Sequence, residues 1–208
     1  MHTALLVLRE VLGQDPSEAT AAVQGFGNVG SHAALFMHEA GIRVVAVSDV
    51  HGGRYDPDGL DVPALFEHAR SNGSLDGASG KAISNDELLA ADVDLLCPCA
   101  CENQITRDNA GEVRARAVVE GANGPTTDEA DAILQKRDVP VVPDILTNAG
   151  GVIASYVEWR QGKSGAITEK SETFATVQNR LSIAFDDMLR VGQRWNCSPR
   201  TACRISAA

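Results

Sequence analysis

A strand that runs into glycines spaced two and three apart, and then into a helix, admits few folds. Residues 19–30, ATAAVQGFGNVG, have that form. Gly25 lets the chain turn sharply, Gly27 removes the side chain that would block a pyrophosphate, and Gly30 lets the helix pack closely on the strand. The helix N-terminus that follows offers unpaired N–H groups to an anion. The turn Gly25, Phe26, Gly27, Asn28, Val29, Gly30 is therefore the expected phosphate cradle. A second apolar strand, Val44–Ser48, leads to Asp49, about 20 residues past the last glycine, where such folds hold the adenosine ribose. That context favours a dinucleotide site over a glycine-rich turn with no ligand.

Composition narrows the function classes. The chain has 208 residues, 44% hydrophobic and 22% charged, enough for one large domain with a core. Eighteen basic against 28 acidic residues give a net charge of −10, with no basic stripe, so a nucleic-acid role is not expected. The apolar runs are strand-sized, too short for a membrane span. The N-terminus reads as an amphipathic helix, without the basic and small-residue features of a signal peptide. Five cysteines, an odd number, suggest thiols of a reduced, cytoplasmic protein. Cys97, Cys99 and Cys101 alternate at a strand end, but no histidine or fourth thiol lies nearby, so no metal is expected.

Along the chain, strand and helix signals alternate, which predicts an α/β fold with a doubly wound, mostly parallel sheet. Helices are expected over 4–12, after Gly30 to Gly41, and over 62–70. HGGRYDPDGLD reads as a turn-rich loop and residues 71–80 as a mobile excursion. Ser84-x-x-Glu87 and Thr126-x-x-Glu129 fit capping boxes. Strands are expected over 94–97, 118–120 and 140–142, and helices from Thr126 to about 137 and over 148–161. Phe174, Val177, Leu181, Phe185 and Met188 form a core-facing stripe at helical spacing, and Ser198-Pro199 opens a last helix. Gly162-Lys163-Ser164 lacks the upstream glycine of a phosphate loop and reads as a surface loop. Of the five histidines only His51 lies near the expected cofactor.

With these residues in view, AVQGFGNVG, VAVSDVHGGRYDPDGLD, VVEGANGPTTDEAD, VPVVPDILTNAGGVIASYVEW and FDDMLR together resemble the cofactor-binding domain of the glutamate/leucine/phenylalanine/valine dehydrogenases. The glutamate enzymes are nearest in wording. The resemblance covers nearly the whole chain. It implies a Rossmann-like sheet, parallel except for one strand, with a core over about 15–150 and a helical C-terminal part over about 148–208. It also implies reversible oxidative deamination of an L-amino acid, with NAD, or possibly NADP, as hydride partner.

The resemblance gives further residues their roles. Asn123, in GANGPTT, is expected over the cofactor, with an αL turn residue as the alternative. Asn148, ahead of Gly150 and Gly151, is expected to meet the nicotinamide carboxamide, or else simply to begin a helix. Ala100 and Cys101 are expected to line the same crevice through backbone atoms. Ser155 lies seven residues after Asn148, about two turns along the helix. In glutamate dehydrogenases a serine here resembles a donor to the substrate's distal carboxylate; the alternative is a small packing residue. Val152 is expected against the substrate's methylene stem.

The family's substrate domain, which carries the essential lysine and a proton-transferring aspartate, precedes this one and has no counterpart in the sequence. Lys81, Lys136, Lys163 and Lys170 lack the required context, so no catalytic residue is assigned. Two classes stay open: part of a dehydrogenase inactive without the other domain, or a stand-alone binding or subunit-interaction module. The oligomeric state is not set by the sequence.

Overall fold

The computed structural model describes residues 2–165 and 169–207. Among the described residues there are seven strands: β1 (Thr20–Gln24), β2 (Arg43–Asp49), β3 (Gly52–Tyr55), β4 (Lys81–Ile83), β5 (Leu95–Pro98), β6 (Ala117–Val119) and β7 (Val141–Val142). The helices are α1 (His2–Leu6), α2 (Asn28–Glu39), α3 (Val62–Asn72), α4 (Asn85–Leu89), α5 (Asp128–Lys136), α6 (Asp144–Thr147), α7 (Ala149–Ser164), α8 (Lys170–Trp195) and α9 (Pro199–Ser206). A π-helical turn, Val7–Val11, extends α1.

The strands form one sheet in the order β4-β3-β2-β1-β5-β6-β7. β2, β1, β5, β6 and β7 pair in parallel, while β3 is antiparallel to both β2 and β4. Among the described strands β3 alone runs against the rest, as the resemblance implies. Side chains of successive strand residues face opposite sides, with the alternation of β2 reset where its register against β1 shifts beside Ala21 and Ala22, and two cores result. Ala21, Val23, Val44, Val47, Leu95 and Cys97 join residues of α1, α2, α3 and α8 on one face. Ala22, Ala46, Leu96 and Val118 join residues of α4 and α5 on the other. Strands buried on both faces must be nearly continuous apolar runs, which explains TAAVQ and RVVAVS. The chain moves from β1 to β2 on one side and later returns to β5 on the other. The crevice at this reversal, beyond the strand C-termini, is where doubly wound sheets bind ligands.

The structure revises several local expectations. HGGRY contains β3, because Gly53 meets its neighbours too closely for a side chain: a Cβ there would lie 2.9 Å from Ile83 Cγ1 and from the Val47 carbonyl oxygen. The glycines that suggested a loop thus serve close strand approach. Residues 71–80 are pinned instead of forming a free excursion. Leu75 is buried in the core, its amide donates to Asp49 Oδ2 at 2.6 Å, and its carbonyl accepts from Arg54 Nε at 3.0 Å.

The cap of α5 is Thr127, whose hydroxyl accepts from the Ala130 amide at 3.2 Å. Thr126, one residue earlier, is buried and bridges to Ile105. The capping box at Ser84 and Glu87 forms in both directions, and Ser198 caps α9 with Pro199 behind it. Gly162-Lys163-Ser164 is the last turn of α7, not a loop, with Lys163 Nζ 4.4 Å from the centre of the Trp159 ring. On α8, Leu181, Phe185 and Met188 are buried, but Phe174 is 56% exposed, so the core stripe starts later than its spacing suggests.

Candidate functional site

The turn after β1 has the geometry that its glycines require. Gly25 adopts φ +90°, and a Cβ on it would sit 2.7 Å from the Ala100 backbone. Gly30 packs under the turn so closely that a Cβ would lie 1.7 Å from the Gly25 carbonyl oxygen. Gly27, the N-cap of α2, has nothing within 4 Å of its Cβ position and no side-chain cap. The space beside it is open and belongs to the cleft. The first-turn amides of a helix have no intrahelical acceptor, so α2 presents donors and the positive end of its dipole at an unobstructed spot. Open space, free amides and a positive helix end are the features that a pyrophosphate would require.

Two cavities meet at the turn. The first, about 880 Å³, is lined by Gly25, Phe26, Gly27, Asn28, Val29 and Asp49, with Ala100 and Cys101 on its far wall. The second, about 720 Å³, shares Val29, Ala100 and Cys101 and is completed by Gly121, Asn123 and Asn148. Gly30 lies beneath the turn and lines neither. Together the cavities form one trough, with Asp49 at one end and the two asparagines at the other.

Asp49 closes β2, and both its carboxylate oxygens are engaged from the protein side. Oδ1 accepts from the His51 amide at 2.8 Å, and Oδ2 from the Leu75 amide. The group is thereby fixed in orientation, and each oxygen retains capacity for a further donor. His51 itself is exposed and outside the cavity lining; His32, on α2, is the histidine that lines the cleft, edge-on to Phe66 at 5.1 Å. At the other end, the Asn148 carboxamide donates to Asn123 Oδ1 at 3.0 Å. The loop carrying Asn123 is held by the Gly121 and Ala122 amides, both donating to the Pro98 carbonyl at 2.9 Å.

Cys99 and Cys101 line both cavities, and Cys97 lies behind them, in graded environments. Cys97 is buried within β5, Cys99 is half-buried and Cys101 is exposed. Burial pushes the Cys99 thiol up to about 12, and Cys97 is raised for the same reason. Both remain protonated at neutral pH and are poor nucleophiles or metal ligands. Among the described residues no cluster of three or more histidine, cysteine or acidic side chains is arranged to hold a metal ion. No helix among them is long and apolar enough to cross a membrane.

Val152 and Ser155 lie on α7, both exposed, and line neither cavity. The helix buries none of its described residues, and Val152, Tyr156 and Trp159 are 74%, 53% and 55% exposed. Sequence reasoning missed several lining groups, among them Gln24, Ser48, Arg70, Ser74 and Asn85. Gln24 is the last residue of β1 and Ser48 the last but one of β2, so a rule that takes the final two residues of each parallel strand would find them. Ser74 belongs to the 71–80 segment whose pinning was not legible, and Arg70 stands beside it in the last turn of α3.

Fold and trough together define a doubly wound domain of the dinucleotide-binding class. The chain belongs to the glutamate/leucine/phenylalanine/valine dehydrogenase family, whose model matches residues 1–208. It is 48% identical over 200 residues to a glutamate dehydrogenase of Thermotoga maritima, covering 95% of this chain and 48% of that protein. An NAD-specific glutamate dehydrogenase of Bacillus subtilis is 44% identical, covering 91% of this chain and 44% of its own length. For an NADP-specific one of Saccharolobus shibatae the identity is 46%, covering 83% and 41%. The crystal structure of a hetero-hexameric glutamate dehydrogenase from Thermus thermophilus superposes with a TM-score of 0.88 at 34% identity, covering 96% of this chain and 47% of that one. The chain thus spans a little under half the length of these relatives.

Proposed function

We propose that this chain is the NAD-binding half of an L-glutamate dehydrogenase, residues 1–208 acting as one dinucleotide-binding domain. One observation carries the reading: the trough runs from a fixed carboxylate, past the open helix N-terminus at Gly27, to a pair of linked carboxamides. The adenosine ribose hydroxyls would donate to Asp49, and the pyrophosphate would take the α2 amides. The nicotinamide end would meet Asn123 and Asn148. When bound, the nicotinamide supplies the hydride acceptor or donor for oxidative deamination of an amino acid to a 2-oxo acid. Val29, Ala100 and Cys101 line both cavities and flank the join.

NAD is favoured over NADP because a 2′-phosphate would approach the Asp49 carboxylate, a repulsion of a few kcal/mol in a poorly solvated cleft. Arg54 directs its donors elsewhere, Nε to the Leu75 carbonyl at 3.0 Å and Nη2 toward Asp76 at 4.0 Å. The glutamate assignment rests on Ser155, a hydroxyl on α7 where an apolar residue would suit an apolar substrate. Substrate binding needs a second wall, because Val152 and Ser155 stand exposed outside both cavities.

Calorimetric titration of the purified chain with NAD, NADP and L-glutamate tests this. Heat is expected with NAD, less with NADP and none with glutamate. Absence of heat with both dinucleotides overturns the reading, and a glutamate heat from the chain alone overturns the two-walled substrate site.

A further inference from the structure

Arg200 is placed against its own helix. It lies in the first turn of α9, where the helix dipole disfavours a cation, and it is 8% exposed. Three carboxylates explain the position. Arg200 Nη2 donates to Glu120 Oε1 at 2.6 Å, Nε lies 3.7 Å from Asp131 Oδ2, and Nη1 lies 4.0 Å from Asp144 Oδ1. Glu120 is wholly buried. A buried carboxylate with this many partners must hold one orientation, because each contact it loses leaves a desolvated charge.

Glu120 sits directly between the two loops that bear the carboxamides. It follows β6 and begins the 121–126 loop carrying Asn123. Its Oε2 accepts from the Asp144 amide at 2.9 Å, and its main-chain oxygen accepts from the Thr147 hydroxyl. Both partners belong to α6, and Asn148 is the residue that caps its C-terminal end. Asp144 returns the connection, since its Oδ2 accepts from the Gly124 amide at 2.8 Å. A continuous chain of bonds therefore joins α9 to Glu120, and Glu120 to both sides of the Asn123–Asn148 pair.

We propose that Arg200 is a positioning residue for the nicotinamide end of the cleft, setting the relative placement of the loops that carry Asn123 and Asn148 through Glu120 and Asp144. The inference rests on the reading of that end as the nicotinamide site. Arg200 lines neither cavity and acts only through the residues it holds. The adenosine end, at Asp49, shares none of these bonds. Losing Arg200 therefore damages recognition of one end of the dinucleotide and spares the other, which a general loss of folding would not do.

The test uses the purified chain with NADH, whose fluorescence reports the surroundings of its reduced nicotinamide, and ADP-ribose, which lacks that ring. Wild type is expected to bind both and to enhance NADH emission. Arg200→Met is expected to weaken NADH about tenfold or more and to lose the enhancement, with ADP-ribose affinity within about twofold. Arg200→Lys keeps one charge contact but cannot span the three carboxylates, and an intermediate loss of about threefold is expected. If Arg200→Met does not fold, Arg200→Lys carries the same comparison. Unchanged NADH affinity and emission in the folded variants overturn the inference, as does an equal loss of ADP-ribose. Wild type that binds ADP-ribose but leaves NADH emission unaltered overturns the nicotinamide-end reading, and the inference with it.

Discussion

The carboxamides of Asn123 and Asn148, 25 residues apart in sequence, are joined by a 3.0 Å hydrogen bond across the end of the trough. The bond uses one group of each amide. It leaves the Asn123 NH₂ as a donor and the Asn148 oxygen as an acceptor, the complement of a primary carboxamide. Each neutral hydrogen bond contributes about 0.5–1.5 kcal/mol. Asn148→Ala should therefore weaken NAD about three- to tenfold while leaving ADP-ribose binding unchanged. Asn123→Ala should do the same, and the double variant should lose less than the product of the two. Titration of the four proteins with NAD and ADP-ribose checks this; independent, multiplicative losses would show that the amides do not act as a pair.

Gly27 and Gly30 should separate binding from folding. A methyl group at Gly27 meets no protein atom within 4 Å but enters the open space beside α2. Gly27→Ala should leave stability within about 0.5 kcal/mol of wild type while weakening NAD at least tenfold. At Gly30 the same methyl group would sit 1.7 Å from the Gly25 carbonyl oxygen. Gly30→Ala should cost about 1–3 kcal/mol or more of stability through overpacking. Thermal unfolding and NAD titration of both variants provide the comparison. A strongly destabilised Gly27→Ala would mean that the open space is filled by the protein in solution.

Much of this arrangement was legible because local chemistry dictates it. Gly25, Gly27 and Gly30 each answer a geometric need that spacing reveals, and Asp49 follows from the length of the intervening helix and strand. What escaped depends on contacts distant in sequence. Gly52 and Gly53 looked like loop residues because nothing local indicates that β4 would press against them. Leu75 sits in a Gly/Ser/Asn-rich stretch, and only its burial and the reach of Asp49 make the segment ordered structure. Thr126 matched the capping template one residue early because the template cannot tell which hydroxyl faces the helix. Arg200 is 80 residues from Glu120, and no periodicity connects them.

Asp49 should govern both cofactor preference and local stability, since its carboxylate is fixed by the His51 and Leu75 amides. Asp49→Ser removes the charge that a 2′-phosphate would meet and should raise NADP affinity relative to NAD about tenfold or more. It also releases the Leu75 amide, a bond to a charged group that contributes about 1.5–3 kcal/mol. The variant should therefore unfold at lower temperature, with faster hydrogen exchange at Leu75. If the NADP-to-NAD ratio does not change, Asp49 only anchors the 73–76 segment and the preference lies elsewhere.

Asp94 lies at the opposite end of the sheet, so its titration should alter stability without touching the cleft. Burial alone would raise its carboxyl. Bonds from the Thr20 amide at 2.8 Å, Arg116 at 2.8 Å and the Thr20 hydroxyl at 3.0 Å outweigh it and hold the group below its ordinary 3.8. A carboxyl whose value is lowered by folding stabilises the folded state above its unfolded value, because the unfolded chain binds the proton more readily. That contribution is complete above about pH 5, shrinks as pH falls through 3.8, and is gone below the folded value. Asp94→Asn should lose about 1.5–3 kcal/mol at pH 7, the same amount at pH 6, and progressively less below pH 3.8. NAD affinity at pH 7 should not change, since Thr20 begins the strand whose other end, Gln24, borders the site. Urea unfolding of both proteins across this pH range gives the measurement. A gap that stays constant below the ordinary carboxyl value would mean that Asp94 contributes through shape and not through its charge.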